Sequence, residues 1–108
     1  MTVYSAPRDD MRFVINELLG GEKLAELPGY EEATPDLIEA VLAEAGRLCE
    51  EVLLPLNRPG DEQGCSFENG VVRLPDGFKE AYEAFVQGGW GSLAADPEWG
   101  GQGLPALV

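Results

Sequence analysis

Apolar residues return at three- and four-residue steps in three stretches of the chain, and each stretch predicts an amphipathic helix. The first carries Met11, Val14, Ile15, Leu18 and Leu19. Asp9 and Asp10 sit where a first helical turn favours negative charge, so a helix is expected over 8–19, with Gly20-Gly21 as its left-handed stop. Leu24 and Leu27, followed by Pro28-Gly29, predict a short helical turn before a loop. The clearest start signal comes next: Thr34 as N-cap, Pro35 at the first helical position and Asp36 near the positive end of the helix dipole. From there Leu37, Ile38, Val41, Leu42, Ala45, Leu48, Cys49, Val52 and Leu53 form one stripe. The helix is expected to end near Leu54, because Pro55 brings no N–H and its ring crowds the preceding turn. If fully buried, each large side chain of that stripe is worth roughly 1.5–3 kcal/mol before entropy is subtracted, so this helix should anchor the core.

Asn57 to Gly64 reads as a polar loop. Ser66 to Arg73 then reads as two short strands around an Asn69-Gly70 turn. Asp76 is placed to cap a third helix whose face holds Phe78, Ala81, Tyr82, Phe85 and Val86, with Gly88-Gly89 as its stop, and Trp90 and Leu93 predict one more turn around a buried Trp. The stretch 95–105, rich in Gly and Pro, is expected to be an irregular loop. The fold class that results is mainly α, a small helical bundle with one short β-hairpin.

Composition bounds what such a fold does. With 108 residues, 44% of them apolar, there is material for one domain with a modest core. Twenty Asp and Glu stand against seven Lys and Arg, a net charge of −13, the wrong sign for gripping nucleic-acid phosphates or anionic lipid. Neither nucleic acid nor membrane is an expected partner. The absence of histidine removes Ser-His and Cys-His nucleophiles, and Cys49 and Cys65 lie outside any C-x-x-C spacing. No leader-like segment or membrane span is legible, and a cytoplasmic protein with two free thiols is expected.

Individual motifs add little. Asn57 to Glu68 has the length of a calcium loop, but Pro59 supplies no ligand at position three and Glu62 occupies the position that needs glycine. Gly100-Gly101-Gln102-Gly103 lacks the Lys-Ser or Lys-Thr of a phosphate loop and reads as a tight bend between Pro97 and Pro105. Neighbouring carboxylates such as Glu31-Glu32 and Glu50-Glu51 point in different directions and form no acid/base dyad. Arg12, in Asp10-Met11-Arg12-Phe13, is either a paired charge at a domain junction or an exposed residue, and its spacing leaves both open.

Several segments together carry a resemblance. Tyr4-Ser5-Ala6-Pro7-x-x-Asp10-Met11-Arg12-Phe13, followed by Glu17-Leu18-Leu19-Gly20, resembles the opening of the larger bacterial acyl-CoA dehydrogenases. Leu56-Asn57-Arg58-x-Gly60-Asp61-x-x-Gly64-Cys65 is similar to the loop after their long helix, as is the hairpin with Phe78-Lys79-Glu80-Ala81-Tyr82 beyond it. Gly89-Trp90-x-x-Leu93, continuing through Asp96-Pro97-Glu98-Trp99-Gly100-Gly101-Gln102-Gly103-Leu104-Pro105, resembles the bend that closes their first helical segment. The resemblance runs through nearly the whole chain in order.

It implies a parent enzyme that uses FAD to oxidise an acyl-CoA thioester to its 2,3-enoyl form, a carboxylate taking the α proton while the β hydrogen leaves as hydride to the flavin. It further implies an N-terminal helical domain, of which this chain is part, with 1–30 as an extension helix and 31–108 as the start of the domain. The flavin-binding middle domain and C-terminal bundle lie outside it. Catalytic, cofactor-binding and metal residues are therefore expected nowhere in this chain, and FAD is expected only in the intact parent. Trp99, Gly100, Gly101, Gln102 and Gly103 are expected near the acyl-CoA cavity, and Arg12 at a domain contact. The implied partners are the acyl-CoA substrate, the remaining domains and further copies in a homo-oligomer. A segment at −13 is itself a poor place to bind the phosphates of CoA.

A rival reading is a self-standing acidic helical module that offers a helix face to another protein's groove. The apolar Pro105-Ala106-Leu107-Val108, without a polar tail, favours a chain that continues. The segment reading also expects a large exposed apolar surface.

Overall fold

A computed structural model describes residues 3–108. The first helix, α1 (Arg8–Arg12), runs directly into a π-helical segment (Phe13–Leu18). Gly20, at φ 63°, stops it in the left-handed conformation a glycine adopts without steric cost, and a 3₁₀ turn (Gly21–Glu26) follows. Thr34 caps α2 (Pro35–Arg47), its Oγ1 accepting from the N–H of Leu37 at 3.3 Å. A π-helical segment (Leu48–Leu53) and α3 (Leu54–Gln63) continue α2 without a break in the chain of helical residues.

The continuation corrects two expectations: the helix does not end near Leu54, and 57–64 is not a polar loop. Pro55 enters at the start of α3, directly after the π segment, whose widened turn is one that accommodates a proline ring better than a regular α turn. Pro59 lies inside α3 but on its exposed side, so the carbonyl it leaves without a donor reaches water. Gly64, at φ 65°, ends the run.

The hairpin forms as its Asn-Gly turn predicts. β1 (Ser66–Glu68) pairs antiparallel with β2 (Val71–Arg73), Phe67 facing Val72, and both Asn69 and Gly70 take positive φ. The last helix, α4 (Phe78–Gln87), starts from Gly77 at φ 84°. Asp76 does not cap it as expected: its backbone N–H donates instead to Gln63 Oε1 at 3.0 Å, tying the start of α4 to the end of α3. A 3₁₀ turn (Trp90–Ser92) follows, and Trp90 is half-buried rather than enclosed. A second such turn (Pro97–Trp99) opens the irregular end of the chain.

These elements form a slab of 55 × 37 × 16 Å. Among the described residues Ile15, Ile38 and Leu104 alone of the large aliphatic and aromatic side chains are buried, so the thin slab encloses little more than one layer, where a domain ordinarily packs two. Its radius of gyration is 17.3 Å, against about 13 Å for a compact chain of this length. The accessible area of 7969 Å² exceeds by roughly 2,000 Å² what a folded monomer of this mass exposes.

The burial pattern follows from this shape. Only Ile38, 3% exposed, is buried among the large side chains of the α2 stripe, while Leu37 and Leu53 stay open, so the long helix does not enclose the core expected of it. Phe13, Leu18, Phe67, Val72 and Val86 are exposed as well. Among the described residues no side chains cover these faces.

Where the layer is close-packed, glycine makes it so. Gly60 lies under the ring of Phe78, and a Cβ there would come within 2.6 Å of it. Thr34→Ala is expected to lower stability by about 1 kcal/mol in thermal unfolding, with Thr34→Ser close to the parent. Equal loss in both variants would show that the Oγ1 cap contributes nothing.

Candidate functional site

The bend at 96–104 is built from backbone bonds. Asp96 Oδ1 accepts from the N–H of Glu98 at 2.8 Å, and the Asp96 carbonyl accepts from Trp99 and Gly101 at 2.9 and 3.1 Å. The chain then folds back: Gln102 N–H donates to Ser92 O at 3.0 Å, Gly103 to Ala95 O at 2.9 Å and Leu104 to Leu93 O at 2.8 Å. Gly100 and Gly103 take φ 86° and 65°. Gly101 has no room for a side chain, since a Cβ there would collide with the Ala95 carbonyl. Leu104 and Pro105 are buried and pin the end of the bend.

An open cleft of about 730 Å³ separates this bend from the turn at 28–33. Gln102 and Gly103 line it; Trp99, Gly100 and Gly101, also expected near a cavity, do not. Trp99 projects away at 82% exposure. The other polar lining comes from Glu31, Glu32 and Asp96, and backbone N–H groups, including that of Gly29 at 3.1 Å, hold the Glu31 carboxyl below the usual carboxylate range. Among the described residues no cation lines the cleft, so its lining does not fit the diphosphate of FAD or of CoA. Among the described residues no cluster of potential metal ligands forms, and no helix is long and apolar enough to cross a membrane. Cys49 is half-buried and Cys65 exposed, without a bond between them.

Arg12 lies elsewhere, on α1, where it grips α2. Its Nε and Nη2 donate to the two oxygens of Glu39 at 3.1 and 3.0 Å, the paired geometry a guanidinium offers a carboxylate. Arg8 Nη2 reaches the same carboxylate at 2.6 Å, and Asp9 accepts from Arg12 Nη1 at 3.1 Å. Hydrogen bonds from Arg12 and Arg8 hold the Glu39 carboxyl down at about 2, and Glu39 in turn raises Arg12. A few residues on, Glu50 accepts from the N–H of Ala6 at 2.7 Å, and Gly46 lets Ala6 approach. Arg12 is thus half-exposed but paired within the chain, from α1 to α2. Of the expected 1–30 extension, residues 1 and 2 lie outside the described residues.

Sequence spacing offered no sign of Glu39 or Glu50, because their partners lie 27 to 44 residues away. Glu39 stands on the polar side of the α2 stripe like any solvated glutamate.

No family model matches the chain. It is homologous to one part of the acyl-CoA dehydrogenases. It is 44% identical over 105 residues to 3-methylmercaptopropionyl-CoA dehydrogenase of Ruegeria pomeroyi, which covers 97% of this chain and 18% of that protein. A butyryl-CoA dehydrogenase of Syntrophomonas wolfei is 33% identical over 91 residues, 81% of this chain and 15% of its own length. The broad-specificity linear acyl-CoA dehydrogenase of Mycobacterium tuberculosis is 28% identical over 110 residues, all of this chain and 18% of its own. This chain therefore spans less than a fifth of the relatives it matches.

Two outcomes test the geometry. Because the folded pKa of Glu39 is depressed, its contribution is fully present above about pH 4.5 and is lost as pH falls towards 2. Glu39→Gln should be less stable than the parent at neutral pH, with the two melting curves converging near pH 2; a gap independent of pH would refute the ion-pair account. Gly101→Ala should lose about 1–3 kcal/mol in urea unfolding, since the obstacle is backbone, whereas Gly91→Ala should be close to neutral.

Proposed function

We propose that the chain is the opening helical segment of a flavin-dependent acyl-CoA dehydrogenase that oxidises acyl-CoA thioesters to 2,3-enoyl-CoA in the cytoplasm as a homo-oligomer. The observation that carries this reading is the 44% identity along 97% of the chain to a protein of which it spans only 18%. The single-layer slab with its open apolar faces supports it, because a segment that shares its core with further polypeptide has such a surface.

In this reading the segment has a structural role. Residues 1–30 form an extension laid on 31–108, and the grip of Arg8 and Arg12 on Glu39 sets its register, so that the domain contact of Arg12 lies between those two parts. The FAD-binding residues and the catalytic carboxylate belong to the rest of the parent, because the acidic cleft here suits neither cofactor nor CoA phosphate. The bend at Trp99 to Gly103 approaches the acyl-CoA cavity with its outer side, where Trp99 projects, rather than with the cleft behind it.

The test is the intact mass of the native polypeptide and its visible spectrum. A product several times heavier than these 108 residues, yellow and bleached anaerobically by an acyl-CoA, is the expected result. A colourless native chain of this length would instead support the self-standing acidic module. In the flavin-loaded enzyme, Trp99→Ala should change kcat/KM for acyl-CoA by about tenfold, as truncating an exposed aromatic contact does. Unchanged kinetics would remove the bend from the substrate cavity.

A further inference from the structure

An apolar groove of about 370 Å³ lies between the long helical run and α4. Its floor is fixed where Gly60 meets the Phe78 ring and Gly77 meets Leu56, both close approaches that a side chain on either glycine would obstruct. Its walls are Leu53 and Leu56 on one side and Phe78, Ala81, Tyr82 and Phe85 on the other. Along α4 these residues recur at steps of three and four, the spacing with which one helix receives another. Despite lining the groove, Tyr82 is 68% exposed.

We propose that this groove is the docking site for an amphipathic helix with basic flanks, carried by the part of the parent polypeptide outside this segment. The inference rests on the reading of the chain as part of a longer enzyme and adds the face, the kind of element and its charge. Three observations select that occupant. The relatives contain more than four-fifths of their length beyond what this chain matches, enough to supply a second layer. The excess accessible area, roughly 2,000 Å², has the scale of a permanent interface rather than a transient one. The helical segments that form the groove, 48–63 and α4, carry Glu51, Asp61, Glu62, Glu80 and Glu83 against Arg58 and Lys79, with Glu50 turned to Ala6 instead, and Arg58 is already paired with Glu62 at 2.9 Å. A second copy would bring a further −13 to these acidic helices, whereas Lys and Arg beside an apolar stripe complement them.

The test places a thiol in the groove of the full-length polypeptide. Tyr82→Cys is made there, and maleimide labelling of the peptide carrying position 82 is followed by mass spectrometry beside that of Cys65, a free and exposed thiol that serves as the internal reference. Val86→Cys on the same helix serves as the second variant. Labelling at either position is expected to be slower than at Cys65 by roughly 100-fold, set by local opening of a packed interface. Labelling at both positions as fast as at Cys65 overturns the inference. Protection that disappears when the assembly is diluted to monomers, followed by sedimentation, identifies a second copy as the occupant and overturns it too. Glu80→Lys with Glu83→Lys should bring labelling at position 82 back towards the rate of Cys65, and no acceleration refutes the basic flank.

The inference and the reading beneath it fail separately. A full-length protein that holds flavin and oxidises acyl-CoA but leaves position 82 freely reactive overturns the inference alone. One that protects position 82 but holds no flavin overturns the enzymatic reading alone.

Discussion

The helical run from Pro35 to Gln63 is the part to which everything else is fastened. Carboxylates on its polar side hold α1 through Glu39 and the irregular segment before α1 through Glu50, and Gly46 lets Ala6 of that segment lie close. Further on, Gly60 and Leu56 receive α4. The run tolerates two prolines because the π turn over Leu48–Leu53 absorbs one and the solvent side accommodates the other. Fasteners placed along so extended a rod give a plate, and a plate has two faces to cover.

A plate one helix deep cannot bury its apolar residues by itself. Hydrophobic burial, usually the largest favourable contribution in folding, is therefore limited here, and polar ties carry more than their usual share in holding α1. Such ties at half-exposed positions are weak and screened by salt, which suits a segment whose position is completed by a further layer.

The local features were legible where one residue's chemistry decides the outcome. Thr34-Pro35 marks a helix start, Asn69-Gly70 a hairpin turn and Gly20 a helix stop, and each stands as read. Pro55 misled because its effect depends on the turn before it, and a π turn leaves no mark in hydrophobic spacing. Asp76 misled because Gly77 took over the turn into α4. The burial of the α2 stripe was overestimated for a different reason: periodicity shows which face is apolar, and only the rest of the assembly shows what covers it. Of the bend, the glycine requirement at Gly101 was legible as a tight turn, whereas the outward aim of Trp99 depends on bonds between 89–95 and 101–104 that spacing does not encode.

The central claim is that this chain is one layer of a larger core. Hydrogen exchange of the amides in 35–63 and 78–87, compared between the 108-residue segment and the full-length polypeptide, tests it most directly. The account predicts that protection in both helices rises by orders of magnitude in the full-length protein, as local opening there becomes linked to the opening of a shared core. Equal protection in the two would show that the slab is stable and complete without a second layer, and would contradict it.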